Sequence, residues 1–126
     1  MHLPRSCWFV VLLILSPWLS AAQWVTQQQL LAEPPALLLD VRSANEYAAG
    51  HISGAHNISH DQLGMRLAEL TAYRDQPVVV YCHSGTRTRY AIELLEAKGF
   101  SHVRHLRGDY LEWRSAGRPV VMGDAP

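Results

Sequence analysis

The 126-residue chain has only two cysteines and a single lysine, Lys98. It has no excess charge of either sign, with eleven Lys and Arg against eleven Asp and Glu. Without a basic surplus, the usual electrostatic route to nucleic acid is missing. With so little lysine, arginine supplies nearly all the cations, and its planar fork of donors suits oxyanions. Internal repeats and low-complexity stretches are absent as well. The longest apolar run near the start, Cys7 to Leu15, is well short of the roughly 20 residues that a spanning helix needs.

That run has its own reading. His2 and Arg5 precede it, Pro17 follows, and Ser20, Ala21 and Ala22 close it with small residues. This is the pattern of a secretory signal peptide over residues 1–22. The alternative is an uncleaved anchor, which the short run disfavours. Cleavage near Ala22 implies a periplasmic or secreted protein with no stable membrane anchor. It leaves residues 23–126 as one domain, with a core over about 24–119 and a loose C-terminal tail. A chain of that size buries roughly 60–70% of its unfolded surface without staples. It also leaves Cys82 as the sole thiol, so no internal disulfide is expected. A lone thiol in an oxidising compartment invites oxidation, and chemistry is the leading reason to keep one.

Through this domain, helical and extended patterns alternate. Thr26 with Gln29, and Ser43 with Glu46, have capping-box spacing and predict short helices, the second over 44–49. Residues 36–41 and 77–81 are apolar runs bounded by turn signals, as in strands buried on both faces. Leu63, Leu67 and Leu70 recur at helical spacing within 61–73. A strand is expected over 55–58, a helix over 88–98, a strand over 102–106 and a last helix over 110–115. This alternation predicts an α/β domain of three layers around a mainly parallel sheet flanked by helices.

The strand over 77–81 runs straight into Cys82, then a tight polar loop of His83, Ser84, Gly85 and Thr86, then Arg87 and a helix. In open parallel sheets, ligands bind beyond the carboxyl ends of the strands. The helix start offers free backbone donors and a positive dipole end. Gly85 lets successive N–H groups turn inward as an anion nest. Such a setting favours a thiolate and holds an anion beside it. Arg87 closes the loop and Arg89 follows it; one of the two should face the pocket mouth and orient an oxyanion. A cysteine-dependent phosphatase has a wider loop, and its arginine would fall at Thr88. The smaller ring suits a nucleophile that reaches for a sulfane sulfur.

At this point the chain resembles the rhodanese family, in its small, exported single-domain form. Leu38, Leu39, Asp40, Val41 and Arg42, then Glu46, Tyr47, Gly50, His51 and Ile52, are similar to the family's first signature. The segment from Val78 through Cys82 to Thr88 resembles its active-site loop. Leu106, Gly108, Trp113, Gly117 and Pro119 resemble its closing signature. Two positions depart from the pattern. Asp109 stands where a second glycine is frequent. Thr88 stands where serine is frequent, with the hydroxyl kept.

The resemblance implies a rhodanese-like fold and a sulfurtransferase. Cys82 would take a sulfane sulfur from a small anionic donor such as thiosulfate, releasing sulfite. It would pass the sulfur to cyanide, a thiol or a periplasmic acceptor protein, in two covalent steps. His83, Ser84, Gly85, Thr86, Arg87, Thr88 and Arg89 would contact the substrate. No metal or organic cofactor is required. Asp40 would support the loop, and Arg42 with Glu46 would pair near the entrance. His51 and His56 lack metal-ligand spacing and read as packing residues. His83 is a weak candidate for a base, because adjacent side chains diverge. Trp24 and Trp113 read as core or rim aromatics. The competing readings are a persulfide or thiol carrier or redox partner with little thiosulfate turnover, and a non-catalytic binding module.

Overall fold

The computed structural model describes His2 and residues 23–126. Apart from His2, the expected signal peptide, with Cys7, therefore lies outside the described residues.

The elements run β1 (Trp24–Val25), α1 (Gln27–Ala32), β2 (Leu37–Asp40), α2 (Ala44–Ala49), β3 (His51–Ile52) and β4 (His56–Asn57). A 3-10 helix (Leu67–Tyr73) follows, then β5 (Val78–Tyr81), α3 (Thr86–Ala97), β6 (Val103–Leu106), α4 (Asp109–Ser115) and β7 (Val120–Val121). Five strands form one sheet in the order β1-β6-β5-β2-β4, and every neighbouring pair is parallel.

The two central strands explain the layering. Side chains alternate across a strand. Leu37, Leu39, Val78, Val80 and Cys82 enter one core with Ala91 and Leu95 of α3 and Leu70 of the 3-10 helix. Leu38, Val79 and Tyr81 enter a second core with Leu30, Tyr47, Tyr110 and Trp113 of α1, α2 and α4. Both faces are covered, so β5 and all of β2 before Asp40 carry apolar or aromatic side chains. The result is the expected three-layer α/β domain with a parallel central sheet.

Both capping boxes are formed. Thr26 and Gln29 satisfy each other's backbone N–H at the start of α1, as do Ser43 and Glu46 at α2. Three expectations give way. The leucines over 61–73 lie in turns followed by the 3-10 helix, not in one α-helix. α3 starts at Thr86, two residues before the expected start, because Gly85 turns into it with φ of 113° and no side-chain cap. The tail is not loose: β7 pairs antiparallel with β3, and Gly123 N–H donates to the Ala48 carbonyl at 2.9 Å. Buried His51 sits between the carbonyls of Tyr47 and Ala125, 2.8 Å from each, with its ring stacked on Tyr47.

Candidate active site

β5 ends at the carboxyl edge of the sheet, and the next residue is Cys82. The residue is 1% exposed, and its Sγ accepts a hydrogen bond from Gly85 N–H at 3.1 Å. The left-handed backbone of Gly85 turns that amide back over the sulfur. The first turn of α3, with its unpaired amides, begins directly beyond. From the other side, Tyr110 N–H donates to the Cys82 carbonyl and Leu111 N–H to the His83 carbonyl, each at 3.0 Å. The loop is thus clamped between the first turns of α3 and α4.

Arg87 lies in the first turn of α3 and holds Glu46 of α2 with two bonds, of 2.6 and 3.0 Å. Its guanidinium is held above its ordinary range, first by the bond to Glu46 against partial burial, and in smaller measure by the Cys82 sulfur. Glu46 in turn is pulled down to about 2, mainly by Arg87. A recess of about 330 Å³ opens beside Arg87, with Ser43, Asn57, Ser59, His60 and Arg66 in its wall. Asn57 at the end of β4, the start of α2 and the loop of Ser59 to Gln62 form much of that wall, as expected for a carboxyl-edge site.

His83, Ser84 and Thr86 are exposed on the loop, whereas Thr88 is fully buried beneath it. Arg89 is exposed and takes no part in the ion pair that Arg87 makes. Of the two arginines, Arg87 is the one beside the sulfur. Among the described residues, no group of three or more His, Cys, Asp or Glu side chains is arranged to hold a metal ion.

The expected pairing of Arg42 with Glu46 does not occur, because Arg87 has taken Glu46. Arg42 instead pairs with Asp40 at 2.6 Å, and both are almost fully buried. Arg42 also donates to the Gly50 carbonyl at 2.7 Å and lies 4.0 Å from the ring centroid of Tyr110. Burial works against the Arg42 charge, and Asp40 more than offsets it, raising its proton affinity. Asp40 makes no side-chain hydrogen bond to the loop. It holds Arg42, which packs on Tyr110, the residue whose amide binds the Cys82 carbonyl. The support is therefore indirect.

Sequence reasoning missed two residues. Asp109 opens α4 in the left-handed region, with φ of 52°. That conformation costs most side chains about 1–2 kcal/mol, with Asp and Asn the most tolerant. Its Oδ1 accepts from Cys82 N–H at 3.0 Å and from the Thr88 hydroxyl at 2.9 Å. Its Oδ2 meets His105 Nε2 of β6 at 2.8 Å. Burial pushes the Asp109 carboxyl up, but His105, the Cys82 amide and Thr88 outweigh it and hold the carboxyl below its usual range. The available signal was an aspartate directly after Gly108, at a position where a second glycine is frequent.

The fold, the cysteine at the strand end and the glycine-turned loop together define the class. The rhodanese-like domain family matches residues 22–116, and the chain belongs to it. Its relatives include sulfurtransferases. The thiosulfate sulfurtransferase GlpE of Pseudomonas fluorescens is 37% identical over 89 residues, covering 69% of this chain and 78% of that protein. A sulfurtransferase of Allochromatium vinosum is 34% identical over 94 residues, covering 75% and 86%. The crystal structure of a rhodanese-related protein from Thermoplasma volcanium superposes with a TM-score of 0.71 at 28% identity, covering 79% of this chain and 97% of that one. Some relatives are longer: the chain spans 60% of the Bacillus subtilis protein YqhL.

Proposed function

We propose that this protein moves a sulfane sulfur through a persulfide on Cys82. The observation that carries the reading is the Sγ of Cys82, at a strand end, under the Gly85 amide and beside Arg87. The Cys82 thiolate attacks the outer sulfur of a donor such as thiosulfate. The donor's S–S bond breaks, and sulfite leaves with the bonding pair. An acceptor, cyanide or a thiolate, then attacks the outer sulfur of the persulfide, and the Cys82 thiolate departs. The Gly85 amide, aimed at the sulfur, and the unpaired amides of the first turn of α3 stabilise the charge at each stage. Because Cys82 is buried, a slender terminal sulfur suits the site better than a bulky phosphoryl group. The residue pattern at 1–22 supports export, with a periplasmic thiol protein as one acceptor.

Mass spectrometry of the protein after thiosulfate treatment tests this. One added sulfur on Cys82, and thiocyanate formation that disappears in Cys82→Ala, are expected. Turnover that survives Cys82→Ala would sink the reading.

A second reading rests on Glu46. Its two bonds to Arg87 offset much of the charge that would attract a dianion. A persulfide carrier that exchanges sulfur with a thiol partner fits such a mouth. Fast sulfur uptake from an organic persulfide, with slow uptake from thiosulfate, would favour it.

A further inference from the structure

Asp109 and His105 belong to no part of the sulfur chemistry above, yet they converge beneath it. We propose that they form a positioning pair for Cys82: Asp109 fixes the nucleophile's backbone, and His105 offsets the negative charge that this brings beside the cysteine. The inference rests on Cys82 as the reactive residue and adds what tunes it.

The geometry is specific. One carboxylate oxygen takes both the Cys82 amide and the Thr88 hydroxyl, so it ties β5 to the first turn of α3. The carboxylate also lies under Gly85, whose amide caps the sulfur. A methyl group added at Gly85 would come within 3.1 Å of Asp109 Oδ2 and 3.3 Å of His105 Cε1. Asp109 is 3% exposed and His105 5%, so water screens this charge poorly. A carboxylate bonded to the backbone amide of the cysteine opposes negative charge on that residue. The hydrogen bond from His105 Nε2–H to Oδ2 draws off part of the carboxylate's charge.

The remaining charges around the sulfur are accounted for. Arg87 faces it from α3 and is already engaged by Glu46 of α2. His83 points to solvent. On the outer side, the His105 ring stacks on Trp24 of β1 at 4.4 Å, and Arg107 lies over Trp24. Trp24 covers one face of the His105 ring, and no acid other than Asp109 bonds to His105. Its Nε2–H therefore acts on Asp109, and through Asp109 on Cys82.

A purely structural pair would slow Cys82 in every variant. A charge-tuning pair moves it in opposite directions. The readout is the rate of iodoacetamide alkylation of Cys82 in mildly acidic buffer, for the full folded chain. Asp109→Asn keeps an acceptor for the amide and removes the charge, and alkylation should rise by up to about tenfold. His105→Gln keeps a donor to Asp109 but cannot carry a positive charge, and alkylation should fall by a similar factor. The double variant should return near the parent rate. Near-ultraviolet circular dichroism checks folding. Asp109→Gly, which relaxes the left-handed backbone, replaces an unfolded Asp109→Asn. His105→Asn replaces an unfolded His105→Gln. Shifts in the same direction, or no shift in either variant, overturn the proposal. Failure of Cys82 to take up sulfur from any donor would remove the transfer reading but leave this alkylation comparison standing on its own.

Discussion

Two arginine–carboxylate pairs flank the carboxyl edge of the sheet, and they are built for different ends. In the Asp40–Arg42 pair the side chains are 0% and 3% exposed, and Arg42 also holds the Gly50 carbonyl. In the Glu46–Arg87 pair they are 37% and 27% exposed, beside an open recess. A buried pair cannot lose one partner without stranding a charge. A half-exposed pair can open, because water takes over each partner. The first pair is therefore a strut that fixes the end of β2 against α4. The second is an exchangeable contact from which Arg87 can turn to an incoming anion.

The comparison breaks most visibly in stability. Arg42→Ala should cost about 3–5 kcal/mol, since Asp40 stays behind, buried and unpaired. Urea denaturation reads this directly, and a loss under about 1 kcal/mol would mean the pair is no strut. Arg87→Ala should leave stability within about 1 kcal/mol. Its effect should fall on sulfur transfer, lowering kcat/KM by about 10²-fold through lost anion stabilisation. Thiosulfate kinetics with the variant measure that split.

Acid sharpens the contrast further. The Glu46 carboxyl is depressed to about 2, from the usual 4.5. A depressed carboxyl stabilises the fold above its unfolded value and loses that contribution as pH falls through its folded value. The contribution of the Glu46–Arg87 pair should thus persist above pH 4.5 and fade toward pH 2. In Glu46→Gln the denaturation midpoint should fall less over that interval than in the parent, and an equal fall would show that the pair does not form. The smallest effect belongs to Arg89→Ala. Arg89 is exposed and outside both pairs, so transfer rates should change by no more than about twofold.

Much of this arrangement could be read from residue order. Capping boxes are local, so Thr26, Gln29, Ser43 and Glu46 announced α1 and α2 correctly. Cys82 and its loop were visible because a β-branched strand, a glycine and a helix follow one another without a gap. The missed features depend on distant partners. Glu46 looked suited to Arg42, four residues away, but the fold gives it Arg87, far along the chain. Asp109 looked like a local departure from a glycine, because its partners Cys82 and Thr88 come from another strand and helix. The helical spacing over 61–73 described which leucines are buried, and a 3-10 turn buries them as well as an α-helix. The pairing of Val120 with Ile52 follows no periodic signal, since two-residue strands are too short to show one.

That short antiparallel clip has a mechanical consequence. Tension applied at the C-terminus loads the β3–β7 contacts one after another, like a zipper, starting from Ala125 on His51. The parallel strands around β5 must instead shear together, with all their bonds sharing the load. A pulling experiment should therefore show a small early step as the tail peels from α2 and β3. The cradle around Cys82 should stay intact until the larger event that follows.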